Sequence, residues 1–387
     1  RKTFSLMMSN LFIISLLATA AGAMGAFLVF REEAETQRVM AIGAYVAERA
    51  KYQKSLFDGL QADQRAARDL LIQALGDADS KARSPGEFDA LFPVSRDGAR
   101  HPAAGFWSGV GRIGGERLNG VTGYLGPAPV SEEERRLLAT ALKIVPRVGE
   151  MVRARVKNFY FFTLDDRLLM YAPDQPEKGR FYGQAPASFT FKDSDMVAII
   201  RPDANPRGET RCTPLSPLLS DPTGRSVTTG CMTPVHVGGR LVGAFGTTLE
   251  IGSYIHRALS DLLPGTQNAI VDSDGRLIAF PGYSTPGQMT GAGVAAFERT
   301  LQPRALVAQI KARGEGQGVV HSADGRSIIG YARISGPDWY FLAVAPQAAV
   351  SQAATRSALP VLIFGAVAGA LQCLLMILWT RQLVTGP

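Results

Sequence analysis

Cysteine, histidine and tryptophan are scarce in this chain, and two long stretches of it carry no charge at all. Three cysteines, four histidines and three tryptophans are spread over 387 residues. Three cysteines are too few for a disulfide scaffold. His101, His236, His256 and His321 lie without the spacing of a metal site. A glycine-rich phosphate loop, a His-Glu-x-x-His helix and a nucleophile elbow are all missing. Cys212 with His236 as a nucleophilic pair lacks a third partner, so neither enzymatic chemistry nor a cofactor is expected within this chain. A lysine and arginine block is missing too. The formal charge is +7, and setting aside Arg1, Lys2 and Arg381 beside the apolar runs leaves +4, an ordinary surface balance. Nucleic acid is therefore not an expected partner.

What is present is a pair of uncharged apolar runs, Thr3 to Phe30 and Ser357 to Thr380, enclosing 326 mostly polar residues from Arg31 to Arg356. About 20 apolar residues cross a ~30 Å hydrocarbon core. A cleaved signal peptide would have a shorter apolar region followed by a small-residue site, whereas Leu11 to Phe30 stays apolar up to Arg31. The second run carries Pro360 in its expected first turn and ends with Trp379 and Arg381 as interfacial anchors; a buried soluble helix seldom stays uncharged for so long. Arg1, Lys2 and Arg381 flank the spans on the side opposite the body, so both termini are expected in the cytoplasm and residues 31–356 outside it. The chain is expected to be a piece of a longer protein whose output follows residue 387. Cys212 and Cys231 both fall in the outer body and could pair in an oxidising compartment; Cys373 lies in the second run.

Beyond Arg31 the pattern is helical for about 45 residues, with Val39, Ile42, Val46, Phe57, Leu60 and Leu71 as an apolar stripe and no proline until Pro85. The stripe is a seam either against this chain's own domains or against a second copy. Turn signals dominate 84–129, among them Ser84-Pro85-Gly86, so any strands there are short. Ser131 with Glu134 opens a second helix as a capping box, running towards Val156 with a kink expected at Pro146. From Asn158 the period becomes extended. Hairpins are predicted for Asn158–Leu164 with Arg167–Tyr171, and for Thr228–Val237 with Arg240–Leu249 around Gly238-Gly239; a short helix is predicted for Ile251–Leu263. The pattern repeats in Gln267–Asp272 with Arg276–Phe280, and in Gly318–Ser322 with Arg326–Ile334, closed by Trp339–Ala345. The fold class is α+β: a long helix carrying two antiparallel-sheet units in series.

Gly230-Cys231-Met232-Thr233-Pro234-Val235 through Gly238 to Gly246 resembles the glycine-rich hairpin of double Cache sensor domains. Gly336-Pro337-Asp338-Trp339-Tyr340 through Pro346 resembles the terminal strand of the same family. The resemblance covers roughly residues 31–350. It implies two PAS-like units, a distal one over 84–263 and a proximal one over 264–350, between a stub (1–5), a first span (6–30), a long helix (31–83), a second span (357–380) and a linker (381–387). It also implies a bacterial inner-membrane receptor, dimeric and bathed in lipid, with a small ligand in the distal unit. The output would be a histidine kinase of a two-component system, a chemoreceptor or a diguanylate-cyclase-type enzyme. A membrane-anchored protein-interaction module without a small ligand is the alternative.

Within the distal unit, Lys178 to Ala185 is similar to the segment that grips ligand carboxylates in some Cache domains, which points to Arg180, Phe181 and Tyr182. The family's spacer after the arginine is missing, and Ser216 and Thr248 stand where a tyrosine and an aspartate would sit. An anionic or uncharged ligand is therefore expected. Asp193 and Asp195 follow an alternating aromatic segment that would serve as a lid, or else are a turn and helix cap. Arg211, on a subgroup motif, and Thr228 complete the candidate ligand set. In that motif Cys212 replaces a tryptophan, which makes Cys231 its candidate disulfide partner; two buried free thiols are the other possibility.

Overall fold

Helix α1 (Lys2–Gly76) is a single 75-residue rod, about 110 Å long at 1.5 Å per residue. The structure is a computed structural model that describes residues 2–77, 84–113, 115–214, 216–221, 227–250, 259, 262–280 and 292–385. Nothing in α1 interrupts the helix, because proline is absent until Pro85. Its stripe is covered by the chain's own sheets. Ile42, Val46, Ala50 and Phe57 enter one core, and Leu60, Ala67 and Leu71 enter another.

The distal sheet forms from seven strands: β3 (Val121–Leu125), β4 (Phe159–Phe162), β5 (Arg167–Tyr171), β6 (Arg211–Cys212), β7 (Ser216–Pro217), β8 (Val227–Val237) and β9 (Arg240–Glu250). Their order is β3-β5-β4-β9-β8-β6, with β7 also pairing β8. A two-stranded ribbon, β1 (Arg112–Ile113) and β2 (Glu116–Arg117), stands apart. The β8–β9 corner closes between Val237 and Arg240, with Gly238 and Gly239 both at positive φ as a primed hairpin turn requires. Both faces of this sheet are covered, which is why Phe159–Phe162 and Arg167–Tyr171 are buried at every position instead of alternating. Phe159, Phe161, Leu169 and Phe245 face α1 and helix α4 (Glu132–Val152). Tyr160, Phe162, Leu168, Met170 and Met232 face the opposite way.

Ser131 and Glu134 make the reciprocal capping box at the start of α4, and the helix continues through Pro146 to Val152, short of the expected Val156. Replacing Ser131 with alanine is expected to cost about 1 kcal/mol in chemical unfolding. Ser84-Pro85-Gly86 is a helix start, not a turn: Ser84 and Glu87 form a second capping box on α2 (Pro85–Leu91), with Pro85 in the first turn. Further on lies the short α3 (Gly105–Ser108). The helix expected over 251–263 falls largely outside the described residues.

The proximal sheet holds β10 (Gln267–Asp272), β11 (Leu277–Ala279), β12 (Gln317–His321), β13 (Ser327–Ile334) and β14 (Trp339–Pro346) in the order β11-β10-β14-β13-β12. Trp339 meets Phe57 of α1 edge-on at 5.8 Å, and Gly330 lets Ile42 approach, since a Cβ there would lie 2.6 Å from that side chain. Between β11 and β12 run two further helices, Ala292–Leu301 and Pro303–Arg313; Leu306, Val307 and Ile310 of the latter fill the other face of the sheet.

The last helix, Gln347–Thr385, follows β14 without a break, so Pro360 lies inside it and not in its first turn. It returns alongside α1. Thr19 and Gln372 exchange hydrogen bonds at 3.0–3.2 Å, and Gly365 packs so close to Ala23 that a Cβ would come within 2.3 Å of it. Both helices are long and apolar enough to cross a membrane. Their large side chains point outward, with Leu17 63% and Phe364 75% exposed, unlike the core helix of a soluble protein.

Candidate functional site

The strand register sets the floor of a cavity on the face of the distal sheet turned away from α1. Met170 pairs with Tyr160, Tyr160 with Gly246, and Gly246 with Met232, giving one row across four strands. Gly246 is required there: a Cβ would lie 2.5 Å from the Tyr160 ring, which leans over β9 so that its hydroxyl donates to Met232 Sδ at 3.6 Å. Thr248 Oγ1 donates to the same phenol oxygen at 3.3 Å. One strand pair further, Gly230 and Thr228 continue the floor towards Thr213 and Ser216.

The roof comes from α5 (Pro176–Gly183), which supplies Tyr182, and from the segment leading into α6 (Asp195–Ala198), which supplies Phe191, Asp193, Ser194, Asp195 and Met196. Leu218 and Leu219 close another side. The cavity is partly open to solvent and has a volume of about 450 Å³, within the range of small-molecule sites, roughly 300–1,000 Å³. Burial pushes the Tyr160 and Tyr182 phenols up, so both remain protonated donors across ordinary pH. Tyr182 is 4% exposed, and no described residue pairs with its hydroxyl.

Two carboxylates hold the roof down. Asp166, at the β4–β5 turn with φ 58°, accepts from the backbone N–H of Phe191 at 2.7 Å and of Lys192 at 3.1 Å, and from Thr190 Oγ1 at 2.8 Å. Asp97 accepts from the Ala187 N–H at 2.7 Å. Between them the Tyr124 hydroxyl donates to Phe189 O at 2.8 Å. The Ala187 and Ala99 backbone N–H groups hold the Asp97 carboxyl below the usual carboxylate range. A lowered folded-state pKa contributes stability that is complete above the unfolded value and lost as pH falls through the folded one. Amide exchange at Ala187 is therefore expected to speed up, beyond the chemical pH trend, only in acid below the ordinary carboxylate range; an Asp97→Asn variant should not show that step.

On the other side of the sheet, directly opposite in register, Cys212 and Cys231 are joined by a disulfide. It anchors β6 so that the next residue, Thr213, turns into the cavity, where its Oγ1 accepts from the Gly230 N–H at 3.0 Å.

Of the candidate ligand residues, the structure brings Tyr182, Asp193, Asp195, Thr228 and Thr248 around one cavity. Arg180 and Phe181 stand elsewhere. Arg180 is exposed on a separate open groove with Glu177, Gln184 and Ser220, and Phe181 packs edge-on against Tyr182 and Phe189. Arg211, paired with Met232 in register, is exposed beyond the cavity lining and donates to Ala204 O at 2.5 Å. Ser194 is the N-cap position of α6, so Asp195 opens a short helix as well as lining the rim. Sequence reasoning missed Tyr160, Met170 and Met232. Their joint face follows from pairing β4 with β9, and no polar–apolar alternation marks it in β4 or β5, because both faces of those strands are buried.

The architecture, two antiparallel sheets in series along one long helix with an apolar helical stretch near each end of the chain, is the α+β arrangement expected from the sequence. No family model and no curated protein matches the sequence. Among solved structures, the chain is similar to the periplasmic sensory domain of the Campylobacter jejuni chemoreceptor Tlp1, at 13% identity over 82% of this chain and 98% of that one, TM-score 0.47. It is also similar to the ligand-binding domain of the Pseudomonas aeruginosa PAO1 amino acid chemoreceptor PctB in complex with L-Gln (14% identity, 79% of this chain and 91% of that one, TM-score 0.40). A third is the ligand-binding domain of the Pseudomonas fluorescens chemoreceptor CtaA in complex with L-isoleucine (16% identity, 55% and 77%, TM-score 0.38).

Proposed function

We propose that this chain is the sensory part of a two-span membrane receptor, which binds a small extracytoplasmic molecule in the distal cavity and passes a change of packing along its two apolar helices to an output beyond residue 387. The observation that carries the proposal is the cavity itself, floored by Tyr160, Gly246 and Met232 and roofed by Tyr182 and Phe191. A filled core beneath a broad apolar patch would have favoured the protein-interaction alternative.

The charged groups among the described lining residues are Asp193 and Asp195, both exposed at the rim, and none of the described lining residues carries a guanidinium. This shifts the ligand chemistry from the anionic end of the sequence expectation towards a compact apolar body with a cationic or hydrogen-bond-donating end. The body would meet Leu168, Met170 and the aromatic rings, and the donor would meet the rim carboxylates. Residues 31–356 would stand outside the cytoplasmic membrane, with lipid around the outward apolar side chains of both spans. A second copy would meet α1 on its outward face, where Met40 and Tyr52 are exposed.

A thermal-shift screen of the full chain in lipid nanodiscs tests the ligand class. A ligand present at 100 times its Kd is expected to add about 2.7 kcal/mol, with stabilising compounds concentrated among amines and hydroxyl donors and unaffected by Arg180→Ala. Hits confined to carboxylates and abolished by Arg180→Ala would overturn the assignment.

A further inference from the structure

We infer that Gln64 is the positioning residue that ties the cavity wall to α1 and, through that unbroken helix, to the first apolar span; the inference rests on the sensory function proposed above. Gln64 is fully buried (0% exposed) in the apolar stripe of α1, between Leu60 and Ala67. Its amide donates to the Cys231 carbonyl at 2.7 Å and to Thr247 Oγ1 at 3.0 Å, and accepts from Thr233 Oγ1 at 2.9 Å. Each of these partners is next in sequence to a cavity residue. Cys231 lies between Gly230 and Met232, Thr233 follows Met232, and Thr247 precedes Thr248.

Side chains alternate along a strand, so the β8–β9 ribbon carries the cavity on one face and the Gln64 cluster on the other. Leu60 and Ala67 hold α1 to the sheet by non-directional contacts, which tolerate a small slide. Hydrogen bonds near 2.9 Å do not, since they weaken steeply with angle and distance. A fully satisfied buried amide therefore fixes one register of α1 against the wall. When the wall shifts, α1 follows or the bonds break, which gives two discrete arrangements where plain apolar packing would give a continuum.

The test needs no ligand. Gly230→Ala perturbs the wall from the cavity side, because the added Cβ would lie 2.8 Å from Met232 Cε, 3.1 Å from the Tyr160 hydroxyl and 3.2 Å from Thr247 O. Hydrogen exchange is read on the full chain in nanodiscs over residues 36–50 of α1, a segment that packs on the proximal sheet. With Gln64 present, Gly230→Ala is expected to change exchange there about threefold, and in a Gln64→Leu background to change it hardly at all. Should Gln64→Leu fail to fold, Thr233→Ser is expected to keep the response and Thr233→Val to lose it. A residue that only stabilised the fold would alter the baseline and leave the response to Gly230→Ala intact. An equal response in Gln64→Leu or Thr233→Val, or no response with Gln64 present, would overturn the inference. No response to Gly230→Ala with Gln64 present, alongside intact metabolite hits, sinks this inference alone, and Gln64-dependent coupling without any metabolite hit sinks the ligand-sensing proposal instead.

Discussion

Replacing both Cys212 and Cys231 with serine is expected to lower the stability of the distal unit by about 3 kcal/mol, from chain entropy over the short loop that the bond closes. Nineteen positions separate the two residues, and the loop between them contains Thr213, Ser216, Leu218 and Leu219 on the cavity side. In thermal unfolding a loss of that size is on the order of 5–10 °C. The effect should not be confined to global stability. With the bond gone, β6 is held by a two-residue ladder and a few flanking hydrogen bonds at Arg211 and Thr213, so exchange over 211–219 should rise more than exchange in β4 or β5. Reduction of the native chain should reproduce both changes. A doubly substituted chain that melts like the native one, with 211–219 equally protected, would show that other contacts hold this wall.

Asp166→Ala is expected to release the roof. The carboxylate accepts three hydrogen bonds from residues 190–192, and at the surface these together contribute on the order of 3 kcal/mol to local closure. Exchange of the Phe191 and Lys192 amides should then rise about 100-fold while β4 and β5 stay protected. The positive φ of Asp166 complicates any single substitution, because alanine is strained there while asparagine tolerates it. Asp166→Asn keeps an acceptor oxygen and the backbone preference, so it should lie between alanine and the native chain. If the asparagine and alanine variants open the roof equally, the carboxylate charge holds it, and the amide cannot stand in. If neither opens it, the roof is held by the aromatic contacts of Phe189 with Tyr124 and Phe181.

Local signals explain which parts of this molecule could be read from its sequence. The two apolar runs, the hairpins around Asp165-Asp166 and Gly238-Gly239, and the Ser131 cap all depend on residues a few positions apart, and each stands where the pattern put it. The paired sheets along α1 were legible because their strand and turn signals recur. The helices over 292–313 have no comparable local signal, and α2 reads as a turn in the sequence because proline and glycine mark a first helical turn as readily as a bend. The site was legible only in part. Thr228 and Thr248 lie on a hairpin that local signals place, whereas the places of Tyr182 and Arg180 depend on which face of α5 turns inward. A helix of eight residues, anchored by buried Lys178 and Tyr182, carries Arg180 out to solvent. Gln64 was invisible as a functional group, since one glutamine in an apolar stripe acquires meaning only from the strands packed on it.

The central claim is that a small molecule binds between the Tyr160 floor and the Tyr182 roof. Its most direct test is isothermal titration of the best stabilising metabolite into the full chain and into two variants, Thr248→Trp, which places an indole in the cavity, and Arg180→Ala, which alters the outer groove. Binding is expected to be lost in Thr248→Trp while that variant still melts cooperatively, and to be unchanged in Arg180→Ala. Undiminished binding to Thr248→Trp, or its loss on Arg180→Ala, would contradict that claim.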